Sequence, residues 1–115
     1  MATIQSITKK LIEFRKKRDW EQFHKPKDLA LSLVLEAAEV LEHFQWKSEK
    51  EIQAYVKSHK KEIGEELADV LNWVLLLSHD LGIDVLKASE AKIHSNAKKY
   101  PVKKTKGRAT KYTEL

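Results

Sequence analysis

A chain of 115 residues has room for one domain, and 42% apolar against 34% charged residues is an ordinary balance for a chain that folds around a core. With no cysteine, a disulfide framework, a thiolate nucleophile and a thiolate metal site are all excluded, and a cytoplasmic address is expected. The formal charge of +5 suits polyanionic ligands, whereas the opening MATIQSITKK lacks an apolar signal core and the longest apolar runs carry Glu, Asp or Asn, so no membrane role is expected.

Ile4, Ile7, Leu11 and Phe14 recur at helical spacing and predict an amphipathic helix from residue 3 to about 18, its other face carrying Lys9, Lys10, Arg15, Lys16 and Lys17. RDWEQFHKPKD then breaks the pattern: Pro26 disfavours helix at Lys25, and Asp28 is the expected cap of the next helix. Leu29 to Trp46, LALSLVLEAAEVLEHFQW, has no Gly or Pro and is apolar nearly all round, which predicts a helix to about residue 45 that is covered on most sides. Ser48 with Glu51 has capping-box spacing, so a short connecting helix is expected from Glu49 to about Ser58. A further helix, residues 60 to 81, ends at Gly82, and Asp84 caps a last one that runs to about Lys99 before Pro101 stops it. VKKTKGRATKYTEL is basic and reads as an extended tail.

No strand alternation, repeat or Gly-rich phosphate loop is present. The expected fold is all-α, a four-helix-type bundle of four main helices plus one short connecting helix, organised as a helical domain over 1–100 and a basic C-terminal tail over 101–115. Two helices that are apolar nearly all round exceed what one small bundle covers, so a homo-oligomer built through apolar helix faces is expected.

Into those two helices the chain sets two acidic pairs, Glu36 with Glu39 and Glu66 with Asp69. Residues three apart on a helix share a face, so side-by-side packing would gather four carboxylates. Like charges in an apolar setting call for a cation, and an oxygen-only donor set suits Mg²⁺ first and Mn²⁺ second. A ferritin-like di-metal centre would need a His three residues after a Glu, and no Glu here has one.

Glu36-x-x-Glu39 followed by Glu66-x-x-Asp69 inside EELADVLNW resembles the metal motif of the all-α nucleoside triphosphate pyrophosphatases, the MazG-like superfamily. RDWEQFHKPKDL, FQWK, NAKKYP and the terminal KYTEL narrow the resemblance to the dCTP pyrophosphatases, and it extends over essentially the whole chain. The resemblance implies hydrolysis of a nucleoside triphosphate between the α and β phosphorus atoms. The four carboxylates would act as metal ligands and catalytic groups, with one glutamate taking the proton of the attacking water. Glu65 is the poorer candidate, since it points about 100° away from Glu66 around the helix. A dimer-of-dimers tetramer, a small-molecule nucleotide as ligand and no stable nucleic-acid complex follow from the same resemblance. The competing class is a non-enzymatic basic helical protein that binds nucleic acid or a partner. It leaves the paired carboxylates unexplained and sets them against the phosphates.

Lys92, Asn96 and Lys99 lie at i, i+4 and i+7 on the last helix, with Tyr100 next to them, and the resemblance assigns this group to phosphate and sugar. It likewise assigns Trp20, Trp46 and Trp73 to the base and makes His24 the polar candidate for selectivity. Two departures bear on the base preference: Leu11 stands where the vertebrate dCTP pyrophosphatases carry His, and Trp73 where Tyr is usual.

Overall fold

The computed structural model describes residues 1–115 and is all-helical, with four long helices: α1 Ile4–Lys17, α2 Pro26–Glu42, α3 Glu49–Asp80 and α4 Val85–Lys99. A single turn of helix, α5 Val102–Thr105, and 3₁₀ turns at Glu21–Phe23 and Tyr112–Glu114 complete it. None of the helices is long and apolar enough to cross a membrane. The chain divides into two compact units, Met1–Gly82 and Ile83–Leu115.

In the first unit α1 and α2 both pack against α3. Thr3 begins α1 with a reciprocal cap in which Thr3 Oγ1 accepts from the Ser6 amide and Ser6 Oγ accepts from the Thr3 amide. The same helix ends with Asp19 in the left-handed region (φ 54°), Trp20 N–H bonding back to the Arg15 carbonyl and Asp19 N–H to that of Lys16. This closure satisfies two orphan carbonyls and turns Trp20 back against Phe14, ring centroids 5.8 Å apart.

Helix α2 starts three residues before the expected position. Pro26 occupies its first turn, where a missing N–H costs nothing, and Asp28 accepts from the Lys25 amide at 3.2 Å from inside the helix rather than capping it from outside. It also ends early, at Glu42. His43 to Trp46 form turns, and Trp46 sits in the left-handed region (φ 68°).

The expected separate helices at 49–58 and 60–81 are one helix of 32 residues with a kink at His59 (φ −125°, ψ 21°). No Pro interrupts the segment and its one glycine, Gly64, lies past the bend, so the backbone runs through. It bends where Ser58 Oγ and His59 Nδ1 both reach the Tyr55 carbonyl and compete for the helical bond. The Ser48–Glu51 capping box forms as expected, and Gly82 (φ 68°) follows the last turn with its N–H on the His79 carbonyl.

The enclosed core is small: Leu29, Leu75 and Leu76 are its buried apolar residues, and Arg15 is buried with them. Leu31, Val34, Leu35 and Leu41 on α2 and Leu67 and Leu71 on α3 remain exposed.

In the second unit Asp84 caps α4 by accepting from the Lys87 amide at 3.1 Å. The segment beyond Pro101 is not extended. Thr105 Oγ1 bonds the Pro101 carbonyl at 2.7 Å, the Tyr112 ring meets Tyr100 edge-on at 5.9 Å, and Lys99 Nζ lies 4.9 Å above Tyr112. Two aromatic rings and a cation fold the basic segment back on the end of its helix.

Candidate active site

Helices α2 and α3 lie side by side, and the three-residue spacing of each acidic pair turns its members toward the neighbouring helix. Carboxylate oxygens of Glu36, Glu39 and Glu66 all come within 4.8 Å of one another. Asp69 stands outside that group of three. It lines the adjoining cleft with Glu36, and its charge raises the pKa of both Glu36 and Glu66.

The electrostatics record the crowding. Glu66 is pushed up to about 7, first by sharing a hydrogen bond with Glu39, then by desolvation and by the charges of Glu39, Glu36 and Asp69. Burial, followed by the hydrogen bond and charge of Glu39, raises Glu36, offset in part by the neighbouring Trp73. Glu36 Oε2 and Glu66 Oε2 are each closed off from solvent with no hydrogen-bond partner. Orphaned carboxylate oxygens beside further carboxylates, with no Lys or Arg ion-paired to any of them, form an oxygen-only donor set that fits a hard divalent cation.

Next to the carboxylates is a cleft of about 430 Å³, a volume in the range of small-molecule sites. One wall is a chain of rings: Phe14 meets Trp20 edge-on, Trp20 lies 6.3 Å from His24, and His24 meets Trp73 edge-on at 5.4 Å. Ile7, Leu11 and Leu76 supply aliphatic surface, and Lys10, Arg15 and Asn72 add polar groups. His24 is held below the usual histidine range, by burial first and the Arg15 charge second, so its ring is neutral near pH 7 and offers one donor and one acceptor.

Of the sequence-derived site residues, Trp20, His24, Glu36, Asp69 and Trp73 line this one cleft, and Glu39 and Glu66 lie in the carboxylate cluster that Glu36 shares with it. Trp46 does not line it: at the turn after α2 its side chain is 92% exposed. Lys92, Asn96 and Lys99 are exposed along α4, and Tyr100 packs on Tyr112, all within the second unit.

The sequence reading passed over Arg15 and Asp80. Arg15 NH1 and NH2 donate to Asp80 Oδ2 and Oδ1 at 2.7 and 2.8 Å, joining α1 to the end of α3. By residue type Arg15 belongs with the basic face of α1, yet it lies about 40° around the helix from Leu11 and about 20° from Ile4, inside the apolar stripe. Helical-wheel arithmetic was the signal available for it. Asp80, 65 positions away in the chain, gave none.

A MazG-like family model matches residues 31–115. The chain is similar to dCTP pyrophosphatase 1 of Rattus norvegicus, 41% identical across 98% of this chain and 68% of that protein, and to dCTP pyrophosphatase 1 of Homo sapiens, 37% identical over the same shares. Among solved structures it is similar to a pyrophosphatase from Archaeoglobus fulgidus DSM 4304, with a TM-score of 0.82 and 38% identity over 88% of this chain and 94% of that one. Agreement in sequence and in backbone, each extending across most of both partners, means that this chain belongs to the MazG-like family.

Proposed function

We propose that this protein is a divalent-cation-dependent nucleoside triphosphate pyrophosphohydrolase that removes dCTP and C5-modified dCTP from the nucleotide pool, releasing the monophosphate and diphosphate. The observation that carries the reading is the meeting of Glu36, Glu39 and Glu66 across two helices beside an aromatic cleft that Glu36 and Asp69 also line. The relatives named dCTP pyrophosphatase 1 support the choice of nucleotide.

In this reading Glu36, Glu39, Glu66 and Asp69 hold the cation, Mg²⁺ first and Mn²⁺ second. When bound it neutralises phosphate charge and lowers the pKa of the attacking water. One carboxylate of the cluster takes the water's proton. The bridging P–O bond between the α and β phosphorus atoms breaks, its electron pair leaves with the diphosphate, and the water oxygen ends on the new phosphate terminus. Trp20 and Trp73 stack on the base, which is worth about 1–3 kcal/mol and tolerates any base. Selectivity then rests on the polar groups of the cleft, His24 among them. Lys92, Asn96 and Lys99, exposed on α4 with Tyr100 after them, are the groups this reading assigns to phosphate and sugar; Trp46, outside the cleft, keeps its assignment to the base from the resemblance alone.

The exposed leucines of α2 and α3 support a homo-oligomer, a dimer of dimers in this reading, because an apolar face of that extent on an isolated chain is costly in water. Release of diphosphate from a panel of (d)NTPs, with and without Mg²⁺, tests the proposal. The expected order puts dCTP first, with no turnover when the cation is chelated; turnover that is indifferent to chelation would refute it.

A further inference from the structure

Arg15 is the buried charged side chain of the first unit, 7% exposed. Two of its five N–H groups go to Asp80 in a fork that fixes the plane of the guanidinium, while Nε is closed off from solvent and has no partner. The same side chain lines the aromatic cleft next to His24, whose Nδ1 is likewise enclosed and unpartnered. A pin between α1 and α3 would explain the ion pair but not its position or its spare donors. An apolar pair of similar volume joins two helices as well, without desolvating two charges or leaving an N–H unpaired.

We propose that Arg15, held by Asp80, is a specificity-determining residue that donates its spare N–H groups to the ring N3 and O2 edge of cytosine. The inference rests on the nucleotide reading above and deepens it. Arginine is a donor only, at every pH at which the protein is folded. Cytosine presents N3 and O2 as adjacent acceptors, which match two N–H groups of one planar guanidinium. Uracil and thymine carry a hydrogen on N3, so the same guanidinium would meet donor with donor and leave both unpaired. That mismatch rejects a base far more strongly than a change in stacking area does. His24, neutral beside Arg15, has an acceptor to offer the 4-amino group that cytosine has and uracil lacks.

The test pairs substrate analogues with variants. With Mg²⁺, wild-type protein is assayed on dCTP, dUTP and 3-deaza-dCTP, in which a C–H replaces the N3 acceptor. The set is repeated with Arg15→Lys and with the double variant Arg15→Met/Asp80→Leu, which removes both charges together and so preserves the packing. Wild-type kcat/KM should fall about tenfold from dCTP to 3-deaza-dCTP, and by at least as much to dUTP, mainly through KM. In the double variant dCTP and 3-deaza-dCTP should agree to within about twofold. Equal turnover of dCTP and 3-deaza-dCTP by the wild-type protein would overturn the inference whether or not either variant folds. So would variants that lower all three substrates in proportion, which would make Arg15 a structural pin. Wild-type protein that hydrolyses none of the three would overturn the nucleotide reading itself, a result distinct from hydrolysis without discrimination.

Discussion

Replacing Asp80 by Asn leaves the Arg15 guanidinium buried without its counter-charge, and the structure sets the size of the effect. Both bonds of the pair are short, 2.7 and 2.8 Å, and the side chains are 8% and 21% exposed. Breaking a fully buried pair from one side costs about 3–5 kcal/mol, whereas an exposed pair is worth about 0–1 kcal/mol. The partial solvent access of Asp80 brings the expectation down to about 2–3 kcal/mol, a fall in Tm on the order of 10 °C for a chain of this size. Thermal and urea unfolding of Asp80→Asn, Arg15→Met and Arg15→Met/Asp80→Leu measure it, with the double variant expected within about 1 kcal/mol of wild type or above it. The pair also fixes a pH dependence. The Arg15 guanidinium, by its hydrogen bonds first, holds the Asp80 carboxyl below its ordinary value of 3.8. A depressed carboxylate contributes stability that is complete above that value and is lost as pH falls through the folded pKa, so wild-type protein should lose the contribution in acid and Asp80→Asn should lack this component of the acid loss. An Asp80→Asn protein within about 0.5 kcal/mol of wild type, or a double variant as unstable as the single, would refute the reasoning.

Glu36→Gln, Glu39→Gln, Glu66→Gln and Asp69→Asn should each lower dCTP turnover by about tenfold or more while circular dichroism stays unchanged, and should weaken Mg²⁺ binding. For Glu36→Gln the cation-free protein should also melt at a higher temperature than wild type, because one charge of a crowded set is gone. Nucleotide added with Ca²⁺ should quench tryptophan fluorescence through Trp20 and Trp73, and a quench should persist in Trp46→Phe, since those two indoles line the cleft. Light scattering at micromolar concentration should give a mass several times 13.4 kDa; a stable monomer would count against burial of the α2 and α3 leucines between copies.

What was legible in the sequence was local or periodic. Ser48 with Glu51, Asp84 and Gly82 each act within one turn of their own residue, and all three form as expected. The acidic pairs were legible because three-residue spacing fixes a shared face and because apolar neighbours made solvated acids a poor explanation. The kink at His59 was not, since it arises from side chains competing for one carbonyl at a position with neither Gly nor Pro. Nor was the folding back of residues beyond Pro101, which depends on where Tyr112 returns to Tyr100. Whether Asp69 joins the three glutamates depends on rotamers and on the relative phase of α2 and α3, which spacing along one helix does not determine. The surroundings of Trp46, which the resemblance assigns to the base, were not legible either: α2 ends at Glu42 and the turn that follows leaves Trp46 92% exposed.

The central claim is cleavage between the α and β phosphorus atoms by the carboxylate-lined site. Separation of the products of dCTP incubated with the protein and Mg²⁺ tests it most directly. The account predicts dCMP and diphosphate in equal amounts, with neither formed after chelation or by Glu39→Gln at comparable rate. Formation of dCDP and inorganic phosphate, or intact dCTP after prolonged incubation, would contradict it.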